Sequence, residues 1–311
     1  MENVIIIGGG PAGYTAAIYT ARSLLKPLVF TGETPGGQIT LTNDLENYPG
    51  FPEGISGIEF FQKVDQQAKK FGARIENKFV TAVDLSSQPF KVSVGKNEYE
   101  SRALIVATGS SPRKLEIPGE KEFTGKGVSF CATCDGFFFR EKHVAVIGGG
   151  NSALDEGLYL TRFASKVSII HRRNQLRADQ ILQDRARRNG KIEFILDTVV
   201  EEILGSDTVD GLRMKNVQTG KTENLPIDGV FVFIGYIPNS QIFDGQLEMT
   251  DAGYIKANSR MHTSVEGVFV AGDIHDELYR QVSTSCGSGT IAAIEAEKFV
   301  AEMEGRAYPG K

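Results

Sequence analysis

The first apolar run of the chain ends at a glycine-rich turn, and small and apolar residues follow that turn. The run reads Asn-Val-Ile-Ile-Ile over residues 3–7, the turn contains Gly8, Gly10 and Gly13, and the next segment reads YTAAIYTARSL. A β-branched apolar run predicts a buried strand, whereas small residues among apolar ones suit a closely packed helix. The pattern therefore predicts a strand, a GxGxxG turn and a helix in that order.

The same order of elements recurs later in the chain. The β-branched run HVAVI leads into Gly148, Gly150 and Ala153, and LDEGLYLTRF follows as a predicted helix. A single GxGxxG motif is a weak signal, because glycine turns between a strand and a helix also serve packing. Two motifs in the same context indicate two Rossmann-like units, each able to bring a pyrophosphate close to N–H groups at a helix N-terminus.

Each unit closes with an apolar strand that ends in glycine and then proline. ALIVATGSSP at 103–112 closes the first unit, and GVFVFIGYIPN at 229–239 closes the second. A similar run, GVFVAGD at 267–273, follows both of them. We therefore predict an α/β fold with two Rossmann-like dinucleotide-binding domains, the second inserted in the first.

The length of the chain also favours two domains, because 311 residues exceed what one hydrophobic core usually serves. We predict a first domain over residues 1–112 and 244–311 and a second, inserted domain over residues 113–243. The segments SPRKLEIPG and GYIPNSQIFDG carry Pro and Gly where the chain would cross between the domains. They are the predicted hinges.

Composition and charge exclude several classes of function. The chain is 41% hydrophobic and 23% charged, as globular proteins are, and its net charge of −5 comes from acidic and basic residues mixed along the sequence. This balance gives no broad positive surface for nucleic acid or a membrane. No apolar run reaches the roughly 20 residues of a membrane span, and the apolar start lacks the basic flank of a signal peptide. We therefore expect a cytoplasmic protein.

Basic residues follow the second predicted strand of the second unit, where NAD-binding domains often have an acid. His171, Arg172 and Arg173 stand there, with Arg177 four residues after Arg173. Guanidinium groups match a phosphate dianion, so this cluster favours NADPH over NADH. A solvated basic turn is the alternative, because the nearby run DRARR is ordinary surface charge.

The first unit then takes another dinucleotide, and FAD is the natural candidate because a hydride from nicotinamide needs an acceptor. Its nearest acid is Glu33, which fits the expected spacing loosely. The Gly- and Pro-rich loop at 31–54 has a length that usually indicates function, although a surface excursion would also explain it. Asp273 ends the GVFVAGD run, and a predicted helix from about Ser283 to Met303 could point its N-terminus at the flavin.

The stretch FCATCDGFF at 130–138 holds two of the three cysteines of the chain. Such a pair can bind a metal, remain as buried thiols or carry electrons. We predict no metal site, because zinc needs about four ligands while Cys286 is remote and the histidines show no paired spacing. A CxxC pair in a reducing compartment favours a redox function over a structural disulfide. Asp135 could transfer a proton in that chemistry, and a role as a turn or helix-capping residue would suit Asp135 equally. Cys286 is interpreted as a small packing residue, with a third redox thiol as the alternative.

The chain resembles the low-molecular-weight, bacterial-type thioredoxin reductases of the class II pyridine nucleotide-disulfide oxidoreductases, over essentially its whole length. The motifs that carry the resemblance are, in family order, GGGPAGYTAAIYTAR, GGQ with ENYPG, ATGS, CATCDGFF, GGGNSALDEGLYL, HRRNQLRA, GVFVAGD and YRQVSTSCGSG. The resemblance implies a homodimer with FAD in the first domain, NADPH in the inserted one, and a rotation of the small domain about the hinges. The flavin would reduce a Cys131–Cys134 disulfide, and the resulting dithiol would reduce thioredoxin.

The resemblance also implies the site residues. FAD would be held by Gly8, Gly10, Gly13, Glu33, Gly37, Gln38, Asn47, Ala107, Gly109, Asp273, Arg280, Gln281 and Val282, and NADPH by Gly148, Gly150, Asn151, Ser152, His171, Arg172, Arg173 and Arg177. The catalytic residues would be Cys131, Cys134 and Asp135, with Cys134 facing the flavin and Cys131 attacking thioredoxin. Cys286 departs from the family, which commonly has a small residue such as alanine there.

Two other functions fit part of the pattern. A related flavin-dependent disulfide reductase or dithiol oxidase would act on another dithiol partner, but dithiol oxidases tend to lose the arginines that stand at 172, 173 and 177. A nucleotide-sensing binding protein would leave the CATCD motif without a role. Reduction of thioredoxin by NADPH accounts for both features.

Overall fold

A computed structural model of the protein describes residues 1–41, 45 and 47–306, without the side chains of Leu41, Thr133 and Cys134. The chain divides into two compact units. The first comprises Met1–Ser111 and the chain from Ile237 onwards, and the second comprises Pro112–Tyr236. The predicted fold class, two dinucleotide-binding α/β units with one inserted in the other, is confirmed.

The strands are numbered along the described chain. They are β1 Glu2–Ile7, β2 Leu28–Phe30, β3 Arg74–Glu76, β4 Ala82–Asp84, β5 Phe90–Val94, β6 Asn97–Val106, β7 Ser110–Pro112, β8 Val128–Ser129, β9 His143–Gly148, β10 Lys166–Ile170, β11 Ile192–Ile195, β12 Thr198–Gly205, β13 Val209–Asn216, β14 Thr222–Pro226, β15 Gly229–Phe233, β16 Tyr236–Pro238 and β17 Val268–Val270. The runs predicted as strands from their β-branched residues lie in β1, β6, β9, β15 and β17.

The α-helices are numbered in the same way. They are α1 Pro11–Arg22, α2 Gly57–Lys70, α3 Glu120–Phe123, α4 Ala132–Asp135, α5 Asn151–Leu160, α6 Gln180–Arg188 and α7 Val282–Met303, and short 3-10 helices occupy Gly37–Leu41, Gly136–Phe139 and Gln241–Phe243. The predicted helices after the two glycine motifs are α1 and α5, and the predicted C-terminal helix is α7. No helix in the described residues has both the length and the apolar composition needed to cross a membrane.

The first unit is built on a sheet with strand order β3–β2–β1–β6–β5–β4, in which β17 also pairs with β6. Residues of β1 alternate between its two faces, as the pleat of a strand requires. Val4 and Ile6 pack with α1 and α7, whereas Ile5 and Ile7 pack into the core on the opposite face. Small residues let α7 approach α1 closely, since a Cβ at Gly289 would lie 2.4 Å from a backbone oxygen of α1. This packing brings the N-terminal halves of both helices to the first glycine motif.

The second unit has a parallel sheet with strand order β11–β10–β9–β15–β8 and an antiparallel sheet β12–β13–β14. The strands of the parallel sheet are apolar on both sides, and a cluster of buried side chains lies on each face of the sheet. Strand β8 pairs with β15, with Val128 beside Val230 and Ser129 beside Phe231. The FCATCD stretch follows β8 directly, so it emerges from the same sheet that carries the second glycine motif.

The second crossing between the units lies between Tyr236 and Ile237, seven residues before the predicted boundary at 243/244. The reason is that the chain joins the first unit before residue 244. Phe243 is fully buried in the core of that unit, and the N–H of Asn239 donates to the carbonyl of Gly109 at 2.9 Å. The first crossing, after Ser111, lies one residue before the predicted boundary.

Candidate active site

The first glycine motif forms the turn between β1 and α1, and its glycines have different tasks. A Cβ at Gly8 would lie 2.0 Å from the carbonyl oxygen of Ala107, and one at Gly13 would lie 2.0 Å from that of Gly8. These two positions therefore need glycine so that strand and helix can pack. A Cβ at Gly10 would meet no described atom within 4 Å, directly before the N-terminus of α1. That open space is what a pyrophosphate approaching the helix requires.

The polar loop at 31–54 packs along this motif where the structure describes it. The N–H of Gly36 donates to the carbonyl of Gly9 at 2.7 Å, and the side-chain amide of Gln38 donates to the carbonyl of Ser110 at 3.0 Å. Residues 42–44 and 46 of the predicted loop lie outside the described residues. The start of the loop therefore lies beside the open position of the motif.

The other residues predicted to bind the first dinucleotide differ in how much space lies beside them for a ligand. Gly37 is close to the motif, because a Cβ there would lie 3.3 Å from Cα of Gly10. Gly109 has φ +66° and faces open space within the described structure. Ala107 is buried behind Gly8, and Glu33 is exposed beyond the end of β2. Gly109 thus has room for a ligand, Gly37 lies against Gly10, and Ala107 supports the motif from behind.

The N-terminus of α7 brings together predicted residues that are far apart in sequence. The side-chain amide of Asn47 donates to Oε1 of Gln281 at 3.0 Å. Gln281 caps α7, its side chain accepting from the helix backbone, and Val282 is the first residue of the helix. The backbone N–H of Arg280 donates to Asp276 at 3.0 Å. The helix N-terminus is therefore held in place by residues from two segments of the first unit.

Asp273 lies between β17 and α7. Its Oδ1 accepts a hydrogen bond from the hydroxyl of Ser285 in the first turn of α7, at 3.2 Å. Burial raises the pKa of the Asp273 carboxyl, and the Ser285 hydrogen bond opposes that rise. With the open positions at Gly10 and Gly109 and two helix N-termini, the residues present fit a dinucleotide.

The second glycine motif, between β9 and α5, repeats this division of tasks. A Cβ at Gly149 would lie 2.4 Å from Nδ1 of His171, whereas one at Gly150 would meet no described atom within 4 Å. His171 was predicted to bind NADPH, but its ring lies beneath Gly149 and is only 6% exposed. Burial and the positive charge of Arg177 lower its pKa, so the ring is neutral at pH 7. A direct phosphate contact by His171 stays a prediction.

Beside this motif lies a cleft of about 330 Å³, called the arginine cleft below. It is lined by Arg172, Arg173, Asn174, Gln175, Leu176, Arg177, Asp197 and Gln218. The backbone N–H of Arg177 donates to the carbonyl of Gly149 at 2.6 Å, which ties the basic segment to the glycine motif. Asn151, predicted to contact NADPH, bonds Asp179 through Nδ2 at 2.9 Å, and Ser152 beside it is exposed. The three predicted arginines thus share one cleft next to the open position at Gly150.

Asp197 and Gln218 line the arginine cleft without having been predicted. Asp197 lies in the turn between β11 and β12, and Gln218 lies in the turn between β13 and β14. The backbone N–H of Asp197 donates to the carbonyl of Arg173 at 3.3 Å, which fixes its turn against the basic segment. The sequence held no local signal for either residue, because only the tertiary fold brings these turns to the cleft.

The cysteine turn, defined here as Cys131–Asp135, contains a disulfide-bonded Cys131. The backbone N–H of Cys131 donates to the hydroxyl of Ser129 at 3.0 Å, and its carbonyl accepts from the N–H of Asp135 at 3.2 Å. Cys131 and Asp135 are half-buried. The side chain of Cys134 lies outside the described residues, so its predicted orientation stays a prediction.

Two aromatic side chains next to the cysteine turn are exposed. Phe137 is 62% exposed and Phe138 is 70% exposed, although both are large and apolar. The guanidinium of Arg140 lies 5.9 Å from the ring centre of Phe137, and Phe163 packs against the edge of that ring. An apolar pair at the surface beside a disulfide is typical of a protein-binding surface.

Cys286, the third cysteine, is free and half-buried in α7. Burial raises the pKa of its thiol, so it stays protonated at neutral pH. Its Sγ lies 4.0 Å from the carbonyl oxygen of Pro11, in the contact between α7 and α1. Across the described part of the chain, no group of three or more His, Cys, Asp and Glu side chains is placed to hold a metal ion.

Comparison with known proteins gives consistent matches over nearly the whole chain. The family described as pyridine nucleotide-disulphide oxidoreductase matches residues 2–289. A thioredoxin reductase of Rickettsia felis is 52% identical over 302 residues, which cover 96% of this chain and 97% of that protein. One from Mycolicibacterium smegmatis is 48% identical over 98% of both chains. The crystal structure of Lactococcus lactis thioredoxin reductase has a TM-score of 0.95 at 42% identity, covering 97% of this chain and all of that one.

Proposed function

Because the chain belongs to the pyridine nucleotide-disulphide oxidoreductase family and, within it, to the thioredoxin reductases, we propose that it reduces the disulfide of thioredoxin with NADPH. FAD and a disulfide between Cys131 and Cys134 would carry the electrons. The observation that carries the proposal is the disulfide at Cys131, in a turn that leaves the sheet bordering the arginine cleft. Steady-state consumption of NADPH in the presence of oxidised thioredoxin tests it.

Cys134 is the proposed partner of Cys131 on two grounds. The sequence has three cysteines, and Cys286 is free. Two residues between the cysteines allow a small disulfide ring, which is typical of pairs that open and close during catalysis. This argument also favours catalysis over a structural staple.

In the reduced form the two thiols would exchange with the disulfide of thioredoxin. The thiolate of Cys131 attacks one sulfur of that disulfide, forms a mixed disulfide and releases one thioredoxin thiolate. The second thiol then attacks Cys131, which closes the ring again and releases the second thioredoxin sulfur. Two electrons and two protons thus pass to thioredoxin, and the half-buried position of Cys131 suits it for the first attack.

Asp135 is proposed to move the protons of this exchange. It ends α4, one residue after Cys134, and is half-buried. A carboxyl group at that place can hold a proton between the opening and the closing of the disulfide. Its N–H also bonds the carbonyl of Cys131, so Asp135 shapes the turn as well.

FAD and NADPH are the proposed cofactors, and each has a set of residues that fits it. FAD would lie along the first glycine motif, between Gly10, the Gly37–Gln38 segment and the N-terminus of α7 near Asp273. NADPH would place its pyrophosphate at Gly150 and its 2′-phosphate in the arginine cleft. When bound, FAD supplies the hydride acceptor for NADPH and the two-electron donor for the disulfide.

Alanine substitutions at the two open glycines are expected to separate the cofactor sites. Gly10 has φ −86° and Gly150 has φ −99°, so alanine fits the backbone at both positions and its Cβ enters space reserved for a pyrophosphate. We expect Gly10→Ala to purify with less flavin, and Gly150→Ala to stay yellow with a KM for NADPH raised roughly tenfold. The flavin absorbance relative to protein and the KM are the measurements.

The two variants serve as controls for each other. Both change one glycine at the N-terminus of a helix, so a general loss of stability would affect them alike. Full flavin content in Gly10→Ala, together with an unchanged KM in Gly150→Ala, would show that the pyrophosphates lie elsewhere.

The exposed phenylalanines are proposed to contact thioredoxin. A double variant, Phe137→Ala with Phe138→Ala, is expected to raise the KM for thioredoxin about 5- to 30-fold with little change in kcat, because apolar contacts near an interface centre contribute most to binding. Phe79→Ala is the matched control, since Phe79 is also 62% exposed but lies in the first unit. Equal KM values for the double variant and the control would rule out this surface.

Three predictions extend the proposal without a test in the structure. A homodimer and a domain rotation follow from the family pattern and stay predictions, as does the cytoplasmic location expected from the sequence. The alternative activity is reduction or oxidation of another dithiol partner by the same cysteine turn. The arginine cleft favours the NADPH-dependent reductase, since it supplies positive groups for a 2′-phosphate.

A further inference from the structure

Glu156 on α5 lies directly behind the cysteine turn and has no role in the exchange described above. Its carboxyl group accepts a hydrogen bond from the backbone N–H of Ala132, the residue after Cys131. Its Oε2 is buried and has no hydrogen-bond partner among the described residues. Ala132 is itself fully buried, whereas Glu156 as a whole is half-buried.

The cysteine turn packs tightly against the helix that carries Glu156. A Cβ at Gly136 would lie 3.2 Å from Leu160 and 3.4 Å from Phe163, at the end of the same helix and just beyond it. The hydrogen bond from Ala132 is therefore part of a close contact between α4 and α5. Because Ala132 follows Cys131 directly in the chain, this contact places the Glu156 carboxyl group against the backbone of the cysteine turn.

Because Oε2 of Glu156 is buried without a hydrogen-bond partner among the described residues, the charged form of this carboxyl group is costly. Burial raises the pKa of Glu156 to about 8, the charge of Asp155 adds to the rise, and the Ala132 hydrogen bond opposes it. The group is therefore mostly protonated at pH 7 and ionises within the range in which thiols ionise.

We propose that Glu156 is a positioning residue of the cysteine turn: its carboxyl group holds the backbone beside Cys131, and its charge limits how readily the Cys131 thiol ionises. The proposal rests on the redox role assigned to Cys131 and names a residue that controls it. Glu156 makes no contact with a substrate in this account and acts through the turn.

The physical basis is the mutual repulsion of two negative charges on half-buried residues. A thiolate at Cys131 and a carboxylate at Glu156 oppose each other, so ionisation of one makes ionisation of the other harder. Two groups coupled in this way titrate over a wider pH range than one group alone. Above pH 8, where Glu156 ionises, the thiolate at Cys131 is held below the level that an uncharged neighbour would allow.

The elements packed around Glu156 carry other charged groups. Asp155 is its neighbour on α5 and Asp135 ends α4, and the facing elements carry Asp184, Arg185, Arg187 and Arg188 on α6, Lys166 on β10 and His143 on β9. Within the described residues, Asp155 is the charged group that shifts Glu156. Asp155→Asn therefore provides a second comparison, because it removes the charge that adds to the raised pKa of Glu156.

The test measures the ionisation of Cys131 directly, in the full-length, FAD-loaded protein. In a Cys134→Ser background the disulfide of the turn does not form, and alkylation of Cys131 by iodoacetamide is followed by peptide mass spectrometry from about pH 6 to about pH 10. The comparison adds Glu156→Gln, which keeps an oxygen for the Ala132 N–H but has no charge, and Glu156→Ala, which has neither. Glu223→Gln, on the exposed strand β14, is the matched control.

We expect Glu156→Gln to alkylate about 3- to 10-fold faster than its parent at about pH 9 and equally fast at about pH 6, where Glu156 is protonated in the parent. The profile of the parent and of the Glu223→Gln control should be broader than one ionisation, and that of Glu156→Gln should be narrower than both. Glu156→Ala should differ from the parent at both pH values, because it also loses the backbone contact.

Superimposable profiles for Glu156→Gln and its parent would overturn the proposal, as would a difference that is the same at every pH. If Glu156→Ala does not fold, the comparison of Glu156→Gln with its parent and the width of the parent profile still test the proposal. The assay uses neither NADPH nor thioredoxin. Absence of thioredoxin turnover would therefore refute the proposed function without affecting this result, and an unaltered profile would refute the role of Glu156 alone.

Discussion

Replacing Cys134 by serine is expected to lower thioredoxin reduction to below about a thousandth of the wild-type rate, because a single thiol cannot complete the exchange. Cys131 would still attack thioredoxin once, but the mixed disulfide would have no second thiol to resolve it. NADPH should still bleach the flavin of this variant at close to the wild-type rate, since the glycine motifs and the arginine cleft are unchanged. Turnover with thioredoxin and anaerobic flavin reduction are the two measurements.

Cys286→Ser is the matched control, because it removes the remaining cysteine of the chain at a site that packs α7 against α1. It should keep most of its thioredoxin-reducing turnover. If Cys134→Ser kept full turnover, the dithiol mechanism would be wrong. If Cys286→Ser instead lost turnover while retaining its flavin, the third cysteine would belong to the redox chemistry after all.

Removing two arginines of the cleft, Arg172→Ala with Arg173→Ala, is expected to lower the preference for NADPH over NADH about 100-fold. Each arginine would form a charge-assisted hydrogen bond with the 2′-phosphate. Both side chains are exposed in the cleft, so solvent screening reduces the contribution of each bond to binding. The value of kcat/KM for NADPH should fall, and that for NADH should change little, since NADH has no phosphate there. The ratio of the two values is the measurement.

The control for charge alone is Arg187→Ala with Arg188→Ala. These two arginines are exposed on α6 and do not line the cleft. Removing them changes the net charge by the same amount, so any long-range effect of charge on the anionic cofactor appears in both double variants. An unchanged NADPH preference in the cleft variant would refute the assignment of the 2′-phosphate to this cleft.

The sequence predicted those parts of the fold that depend on neighbouring residues. The β-branched runs before Gly8 and Gly148 form β1 and β9, and the small and apolar residues after them form α1 and α5. The predicted C-terminal helix begins at Val282 and ends at Met303. In each case one periodic pattern, bounded by glycine, determines the element locally.

The sequence did not predict features that depend on contacts between distant segments. The second crossing lies before residue 244 because Phe243 is buried in the core of the first unit. No local sequence pattern predicts that burial. The basic run after β10 identified a cluster, but only the structure separates the buried His171 from the exposed arginines beside it. No local pattern distinguishes Glu156 from the other polar positions of α5, because its hydrogen bond to Ala132 depends on the packing of α4 against α5.

The most direct test of the proposed function is anaerobic stopped-flow reduction by NADPH, followed at the flavin absorbance band with and without oxidised thioredoxin. Without thioredoxin, the protein should accept about four electrons from NADPH, two for FAD and two for the Cys131 disulfide, and the band should stay bleached. With excess thioredoxin, the band should recover as the electrons leave. A protein that takes up about two electrons, and whose flavin stays reduced in the presence of thioredoxin, would contradict the account.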